Sequence, residues 1–250
     1  MIDYRAMNFL ESRPWLAPML CLACVSTQHQ DPQLWRPAPG TQPDSIPGPV
    51  VDFGPYDDFS DALEAACPLI LSKPNASVGH LQGGDRQLAL RVSTEYCAWL
   101  YYTPEHKYEL SMLTDTPVPG SSFRGETRCL LPPDVDDARY PPSSIKYIFI
   151  LHNHPFATGI SSGDIRFAAA MTNAHALLAD VGNRKIPLSV IAFFANTERE
   201  ASSRCGGFYQ YIPATRELLK WVHAQGDWNG VRLGRVEWTS DTRFDVIEER

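Results

Sequence analysis

The segment 145–155 constrains the fold more strongly than any other part of the sequence. Residues 145–151 form a nearly continuous apolar run, and His152-Asn-His154-Pro follows it at once. An apolar run without polar alternation is typical of an interior strand that is buried on both faces. His152 and His154 are two residues apart, so on a strand their imidazole rings lie on the same face. The sequence therefore predicts a buried strand that ends in a pair of neighbouring imidazoles.

A helix is predicted after this strand, over residues 164–181. Its apolar residues recur at helical spacing: Phe167, Met171, Ala174, Leu177, Leu178 and Val181. Asp164 opens the helix, and the intervening Gly/Ser loop can bring its carboxylate back to His152 and His154. Two histidines and a carboxylate, with water in the fourth position, are the ligands of an open catalytic Zn²⁺ site. Such an ion acidifies its water and polarises a substrate carbonyl.

Shorter patterns on both sides of this unit predict the other elements. Residues 59–72 predict a helix that is capped by Ser60 and is bent or ended by Pro68. Apolar runs and alternations predict strands at 87–102, with a period of two over 95–102, and at 108–113, 187–196 and 208–212, and a short helix or strand at 215–224. The order of these elements predicts the α/β (α+β) fold class, with helices and strands in mixed layers.

Prolines mark two segments that we expect to lack regular structure. Residues 31–50 contain six prolines and two glycines, and such a segment cannot sustain helix or ladder pairing. We therefore predict an extended linker over 25–56. Residues 115–144 are predicted to form a long loop, and a loop of that length suits a cleft wall or a lid.

The first residues resemble an export signal. Residues 15–25 are a short apolar stretch that ends in small residues, as in a secretory signal peptide. Leu22-Ala23-Cys24 resembles the end of a bacterial lipobox, although Cys21 stands where leucine is usual. The pattern predicts a signal over 1–24, lipidation of Cys24, and a protein that is periplasmic or anchored to a membrane. The alternative is a buried N-terminal helix in a cytoplasmic protein, which two prolines disfavour.

Four cysteines remain beyond such a signal and a lipidated Cys24: Cys67, Cys97, Cys129 and Cys205. In an exported protein they predict two disulfides, and the sequence leaves all three connectivities open.

Composition excludes several classes of protein. Lys and Arg total 22 against 29 Asp and Glu, for a net charge of −7, and no basic stripe is present. A nucleic-acid binder that neutralises phosphates is therefore not expected. A hydrophobic fraction of 44% and a charged fraction of 20% exclude wholesale disorder. No apolar run reaches the roughly 18–20 residues of a membrane span.

The pattern His152-x-His154-Pro, followed by Ser161-x-x-Asp164, resembles the JAMM (MPN+/JAB) metalloprotease family. The resemblance implies that the two histidines and the aspartate bind zinc. It also implies that a glutamate on an earlier strand is the general acid/base, and that a serine supports the tetrahedral intermediate. Two serines are candidates. Ser161 fits Ser-x-x-Asp but leaves the gap after His154 one residue short, whereas Ser162 restores that gap and leaves one residue before Asp164.

A closer resemblance is to the uncharacterised JAB-like domain at the C-termini of bacterial RHS-repeat proteins. It covers roughly residues 57–212 and is carried by Glu-Tyr-x-x-Trp-Leu-Tyr at 95–101, by Thr-Pro-Val-Pro-Gly at 116–120, and by the histidine segment. It implies that Glu95 is the acid/base, ahead of the alternatives Glu105, Glu109 and Glu126. It further implies a JAB/MPN-like mixed sheet flanked by helices, with cytidine-deaminase-like layering, over 57–215. Residues 216–250 are then an extension that packs on this domain.

The function that the resemblance implies is a zinc metallopeptidase acting on a protein or peptide. A non-catalytic JAB-like module that binds proteins is the alternative, because many members of the fold lack the ligands. Both histidines, the aspartate and an upstream glutamate are present here, which favours the enzyme. A nuclease or DNA-repair role is a third hypothesis, because bacterial RadC-like proteins contain a similar His-Asn-His-Pro. The net charge of −7 argues against it. The oligomeric state is left open.

Overall fold

The apolar run at 145–151 lies in the interior of a large mixed sheet. A computed structural model describes residues 31–77, 89, 91–118, 128–156, 158–196, 205–224 and 227–249. Its strands are β1 (Ser45–Gly48), β2 (Cys97–Tyr102), β3 (Tyr108–Leu110), β4 (Asp134–Asp137), β5 (Lys146–Asn153), β6 (Leu178–Val181), β7 (Arg184–Pro187), β8 (Ser189–Ala195), β9 (Cys205–Ile212), β10 (Glu217–Ala224), β11 (Asp227–Ser240) and β12 (Arg243–Glu248). Its main helices are α1 (Phe59–Leu71) and α2 (Ser162–His175).

The main sheet has eight strands in the order β12-β11-β10-β9-β8-β5-β2-β3. All neighbouring strands in this sheet run antiparallel except β5 and β8, which run parallel. The connection between β5 and β8 contains α2, as a parallel crossover requires. Residues of β5 from Tyr147 onward are buried, which confirms the prediction of an interior strand. The fold class is mixed α and β, as predicted.

The two helices cover opposite faces of the sheet. Along β2, Ala98 and Leu100 belong to the apolar cluster that contains α1. Cys97, Trp99 and Tyr101 belong to the cluster on the other face, which contains residues of α2. This division follows the period of two that the sequence predicted for this strand. Asp58, rather than Ser60, caps α1 by accepting a hydrogen bond from the Ser60 amide (2.8 Å). Pro68 lies inside α1 without ending it.

The proline-rich segment is part of the fold from residue 31 onward, which corrects the prediction of an extended linker over 25–56. Residues 45–48 form β1, which pairs in parallel with β4. The Pro47 carbonyl accepts a hydrogen bond from the Met112 amide (2.8 Å), and Ile46 and Val50 are buried. Prolines are tolerated here because β1 belongs to a two-stranded edge pair in which few amides must donate. Strand β4 also shows that 115–144 is not one continuous loop.

The predicted helix over 164–181 ends at His175. Ala176 has a φ of +83°, a left-handed conformation that breaks the helical path. Residues 178–181 then form β6, which pairs with β7. The apolar residues Leu177 and Leu178, which fitted the helical spacing, are exposed.

The C-terminal residues, predicted as an extension that packs on the domain over 216–250, continue the main sheet. Strands β10, β11 and β12 are added in sequence beyond β9, each antiparallel to the previous one. The ambiguous segment at 215–224 is therefore a strand.

Two disulfides resolve the open connectivity. Cys67 in α1 pairs with Cys205 at the start of β9, and Cys97 in β2 pairs with Cys129. The predicted signal, Cys24 and Glu126 lie outside the described residues. No helix in the described part of the chain is both long enough and apolar enough to cross a membrane.

Candidate metal centre

Three predicted ligands converge where β5 ends and α2 begins. The Nε2 atoms of His152 and His154 are 2.9 Å apart. His152 Nε2 lies 3.7 Å from Asp164 Oδ1, and His154 Nε2 lies 3.4 Å from Asp164 Oδ2. Both histidines are buried, and the Asp164 side chain is 12% exposed. The sequence spacing predicted this cluster correctly.

These separations suit a tetrahedral metal ion. Zinc–ligand bonds of about 2.0–2.1 Å at tetrahedral angles place neighbouring ligand atoms about 3.3 Å apart. The three observed distances lie on both sides of this value, and one ligand atom from each residue lies within 4.8 Å of the other two. His152, His154 and Asp164 could therefore hold a metal ion.

The backbone fixes the orientation of the His154 ring. Its Nδ1 lies 2.7 Å from the Thr158 carbonyl oxygen, which can only accept, so Nδ1 carries a proton. The lone pair of a neutral His154 is then on Nε2, facing His152 and Asp164. A hydrogen bond to the distal ring nitrogen is the usual way in which proteins orient a histidine ligand.

The electrostatics of the cluster keep its carboxylate charged. Burial alone would raise the pKa of Asp164, but His152 and His154 together hold it well below its ordinary value. Burial would likewise lower the pKa of His154, and its hydrogen bond and charge interaction with Asp164 raise it instead. An ionised carboxylate beside two imidazoles is the state that a divalent cation requires.

Ser161 places Asp164. The Ser161 amide donates to Asp164 Oδ2 (2.7 Å), and the Asp164 amide donates to the Ser161 hydroxyl (3.2 Å). This reciprocal pair is a capping box at the first turn of α2. Ser162 is exposed on the same turn. Of the two serine candidates, Ser161 is the one in contact with a candidate ligand.

Glu95 lies immediately before β2 and lines the same cavity as His152 and Asp164, a space of about 240 Å³. Its carboxylate accepts a hydrogen bond from the Cys129 amide, and burial raises its pKa above the ordinary value. Of the alternatives, Glu105 is exposed and Glu109 is paired with Arg139. The structure therefore places Glu95 in the same cavity as two of the candidate ligands.

Asn153 fixes the segment that carries Glu95, a role that the sequence reasoning missed. Its Oδ1 accepts from the Tyr96 amide (2.7 Å), while its Nδ2 donates to the carbonyls of Thr94 (3.0 Å) and Ala76 (2.7 Å). The backbone is thus held on both sides of Glu95. A polar side chain at the end of a buried strand needs hydrogen-bond partners, but the sequence does not indicate which groups supply them.

Arg128 is a second residue that the sequence reasoning missed. It lines the cavity with Glu95, His152 and Asp164. Its backbone is held by the Val118 amide, which donates to the Arg128 carbonyl (2.8 Å). A larger cavity of about 430 Å³ lies elsewhere, beside Tyr147 and His175, and none of the candidate ligands lines it.

Comparison of the chain with protein-family models, with curated proteins and with solved structures found no match in any of the three. The case for a function therefore rests on the residues and geometry of this chain.

Proposed function

We propose that the protein is a zinc-dependent metallopeptidase of the JAMM type, which hydrolyses a peptide or isopeptide bond. One observation carries the proposal: ligand atoms of two buried histidines and a largely buried aspartate lie at metal-binding distances, and two of these residues line a cavity with the partly buried Glu95. The proposal includes a JAB/MPN-like sheet with cytidine-deaminase-like layering, to which β5, α2 and β8 would contribute the ligand-bearing crossover.

In this proposal His152, His154 and Asp164 hold the ion. Bound zinc would acidify a water molecule and polarise the carbonyl of the scissile bond. Glu95 accepts the proton of the attacking water and then donates it to the leaving amine. Burial raises its pKa above the ordinary value, and a carboxyl group that holds a proton more readily than usual suits transfer of that proton to the leaving amine.

Ser161 has a second role here beyond capping. A hydroxyl group has one donor hydrogen in addition to its acceptor lone pairs. The Ser161 oxygen accepts from the Asp164 amide, so its hydrogen is available to a substrate oxygen that gains negative charge. Ser162 is too exposed to be held for this purpose.

We also propose that the chain is exported, with Cys24 lipidated. The two disulfides support this part of the proposal, because disulfides persist in oxidising compartments and are rare in the cytosol.

Elemental analysis of the purified full-length protein tests the metal site. We expect about one zinc per chain in the wild type and in Glu95→Gln, and a loss of zinc in His154→Ala. His106→Ala is a matched control, because His106 lies in the turn before β3 and contacts Tyr102. Peptidase activity in the wild type and not in Glu95→Gln would support the general base. Absence of zinc after reconstitution would instead favour the non-catalytic binding module.

A further inference from the structure

Arg128 brings a buried, unpartnered donor into the cavity of the metal cluster. Its Nε atom is inaccessible to solvent and has no hydrogen-bond acceptor among the described residues. Buried donors without a partner are uncommon and costly, and a charged donor is more costly than a neutral one. An acceptor on a ligand bound in this cavity would satisfy this donor.

Gly163 makes the space for the Arg128 guanidinium. A Cβ atom at this position would lie 1.8 Å from Arg128 Nη1 and 2.9 Å from its Cζ. The guanidinium thus lies directly against the backbone that precedes the ligand Asp164. Any side chain at position 163 would displace it.

The surroundings favour an anion as the missing partner. Apolar side chains of Leu131, Ile150, Phe167 and Val190 form much of the cavity wall, and a charge in such surroundings gains strongly from an opposite charge. With zinc bound, the charges of Asp164 and Glu95 balance the ion, and Arg128 leaves one positive charge in excess. One carboxylate on a substrate would neutralise it.

We infer that Arg128 binds a carboxylate of the substrate beside the scissile bond. The inference rests on the proposed function and narrows its substrate class to peptides with a carboxylate at that position. A guanidinium binds a carboxylate through two parallel hydrogen bonds, which fix the orientation of the bound carboxylate, and its positive charge neutralises that group. The carboxylate belongs either to an acidic side chain or to a free C-terminus, and two probes distinguish these sources.

Nuclear magnetic resonance of the full-length protein tests the inference directly. The buried Arg128 Nε–H gives a side-chain resonance that is assigned by its loss in Arg128→Gln. We expect this resonance to shift on titration with N-acetylglycine or with the α-methylamide of N-acetylaspartate, whichever matches the natural carboxylate. Neutral N-acetylglycinamide should leave it unchanged. Affinity for the carboxylate should fall about tenfold or more in Arg128→Gln, because a charge-assisted bidentate contact is lost.

Two further variants separate this effect from general damage. Gly163→Ala should weaken carboxylate binding as well, because its methyl group displaces the guanidinium. Arg166→Gln is the matched control: Arg166 is exposed on the same helix, and its substitution should not affect carboxylate binding.

Titrations with and without zinc distinguish the carboxylate site from the proposed metallopeptidase. Equal carboxylate affinity in the wild type and Arg128→Gln, in both metal states, would overturn the inference while leaving the zinc measurement intact. Carboxylate binding that depends on Arg128, in a protein that takes up no zinc on reconstitution, would support the inference and reject the metallopeptidase.

Discussion

Asn153 lies between the two histidine ligands, and its side chain points to the other face of β5. From there it forms three hydrogen bonds to backbone groups of a separate part of the chain. One amide side chain thus connects the strand that carries the ligands with the segment that carries Glu95. Together with the pairing of β2 and β5, this connection places Glu95 near the candidate ligands.

We expect Asn153→Ala to reduce the free energy of unfolding by about 2–4 kcal/mol, because three buried polar groups lose their partners. Urea unfolding of the metal-free protein measures the effect. Asn229→Ala is the control, because Asn229 is exposed on β11 and should change stability by less than about 0.5 kcal/mol. A similarly small change in Asn153→Ala would show that water satisfies the three groups instead.

The convergence of the three candidate ligands could be predicted from the sequence, whereas Asn153 and Arg128 could not be assigned roles. His152, His154 and Asp164 are close in sequence, so the geometry of one strand and one helix start brings them together. The partners of Asn153 are 57 and more residues away, and no local pattern predicts such a pairing.

At the scale of elements, an ionic cluster attaches the β1–β4 pair to the main sheet. The Arg139 guanidinium donates to Asp137 at the end of β4 (2.6 Å) and to Glu109 in β3. The Tyr101 hydroxyl donates to Asp137 from β2 (2.9 Å). Both carboxylates are almost completely buried, with side-chain exposures of 4% for Glu109 and 1% for Asp137. Arg139 therefore compensates two charges that have no access to water.

We expect Arg139→Met to destabilise the protein by about 3 kcal/mol, because it leaves two buried carboxylates without a cation.

The pH dependence of the free energy of unfolding should change in this variant too. Burial would raise the pKa of Asp137, but Arg139 and Tyr101 lower it below its ordinary value of 3.8. This stabilisation is present above about pH 4 and is lost as the pH falls through the lowered pKa. Thermal unfolding between pH 2 and pH 7 should show a weaker loss in acid for Arg139→Met. An unchanged acid slope would contradict the assignment, and Arg243→Met on the exposed edge strand is the control.

A helix or strand could be predicted where its hydrophobic pattern agrees with its burial in the fold. Strands β5 and β8 are buried on both faces, so their apolar runs identified them. The end of α2 was missed because Leu177 and Leu178 continue the helical spacing, yet they are exposed after a left-handed residue. Strand β1 was missed because its prolines indicated irregular structure. Ile46 in this strand is buried through contacts with distant parts of the chain, which the local sequence does not reveal.

At the scale of the whole molecule, a disulfide joins distant parts of the chain. Cys67 and Cys205 are 138 residues apart and connect α1 to β9. Loss of this disulfide opens a long loop in the unfolded chain and considerably increases the conformational entropy of that chain. The helix on one face of the sheet is therefore held covalently to one of the strands it covers.

We expect Cys205→Ser to lower the free energy of unfolding by roughly 4–5 kcal/mol, the chain-entropy value for a loop of about this length. Denaturant unfolding under oxidising conditions measures it, with Cys67→Ser/Cys205→Ser as the control for an unpaired thiol. The single and double variants should have the same free energy of unfolding. Peptide mapping that shows another cysteine pairing in the wild type would contradict this assignment.

The boundaries of the folded unit were the least predictable feature at this scale. Residues from Asp31 onward form one compact unit, although the resemblance covered only about 57–212. Strand β1 pairs with the distant β4, and β10 to β12 continue the sheet beyond the region that the resemblance covered.

The disulfide between Cys97 and Cys129 has a practical consequence for anyone who purifies this protein. Cys129 adjoins Arg128 and donates its amide hydrogen to Glu95, so the bond to β2 holds one wall of the cavity in place. Thiol reductants are routine additives for proteins that bind zinc. Here they would cut this wall free while leaving His152, His154 and Asp164 untouched. If the proposed function holds, a preparation made in this way would keep its zinc and lose its peptidase activity.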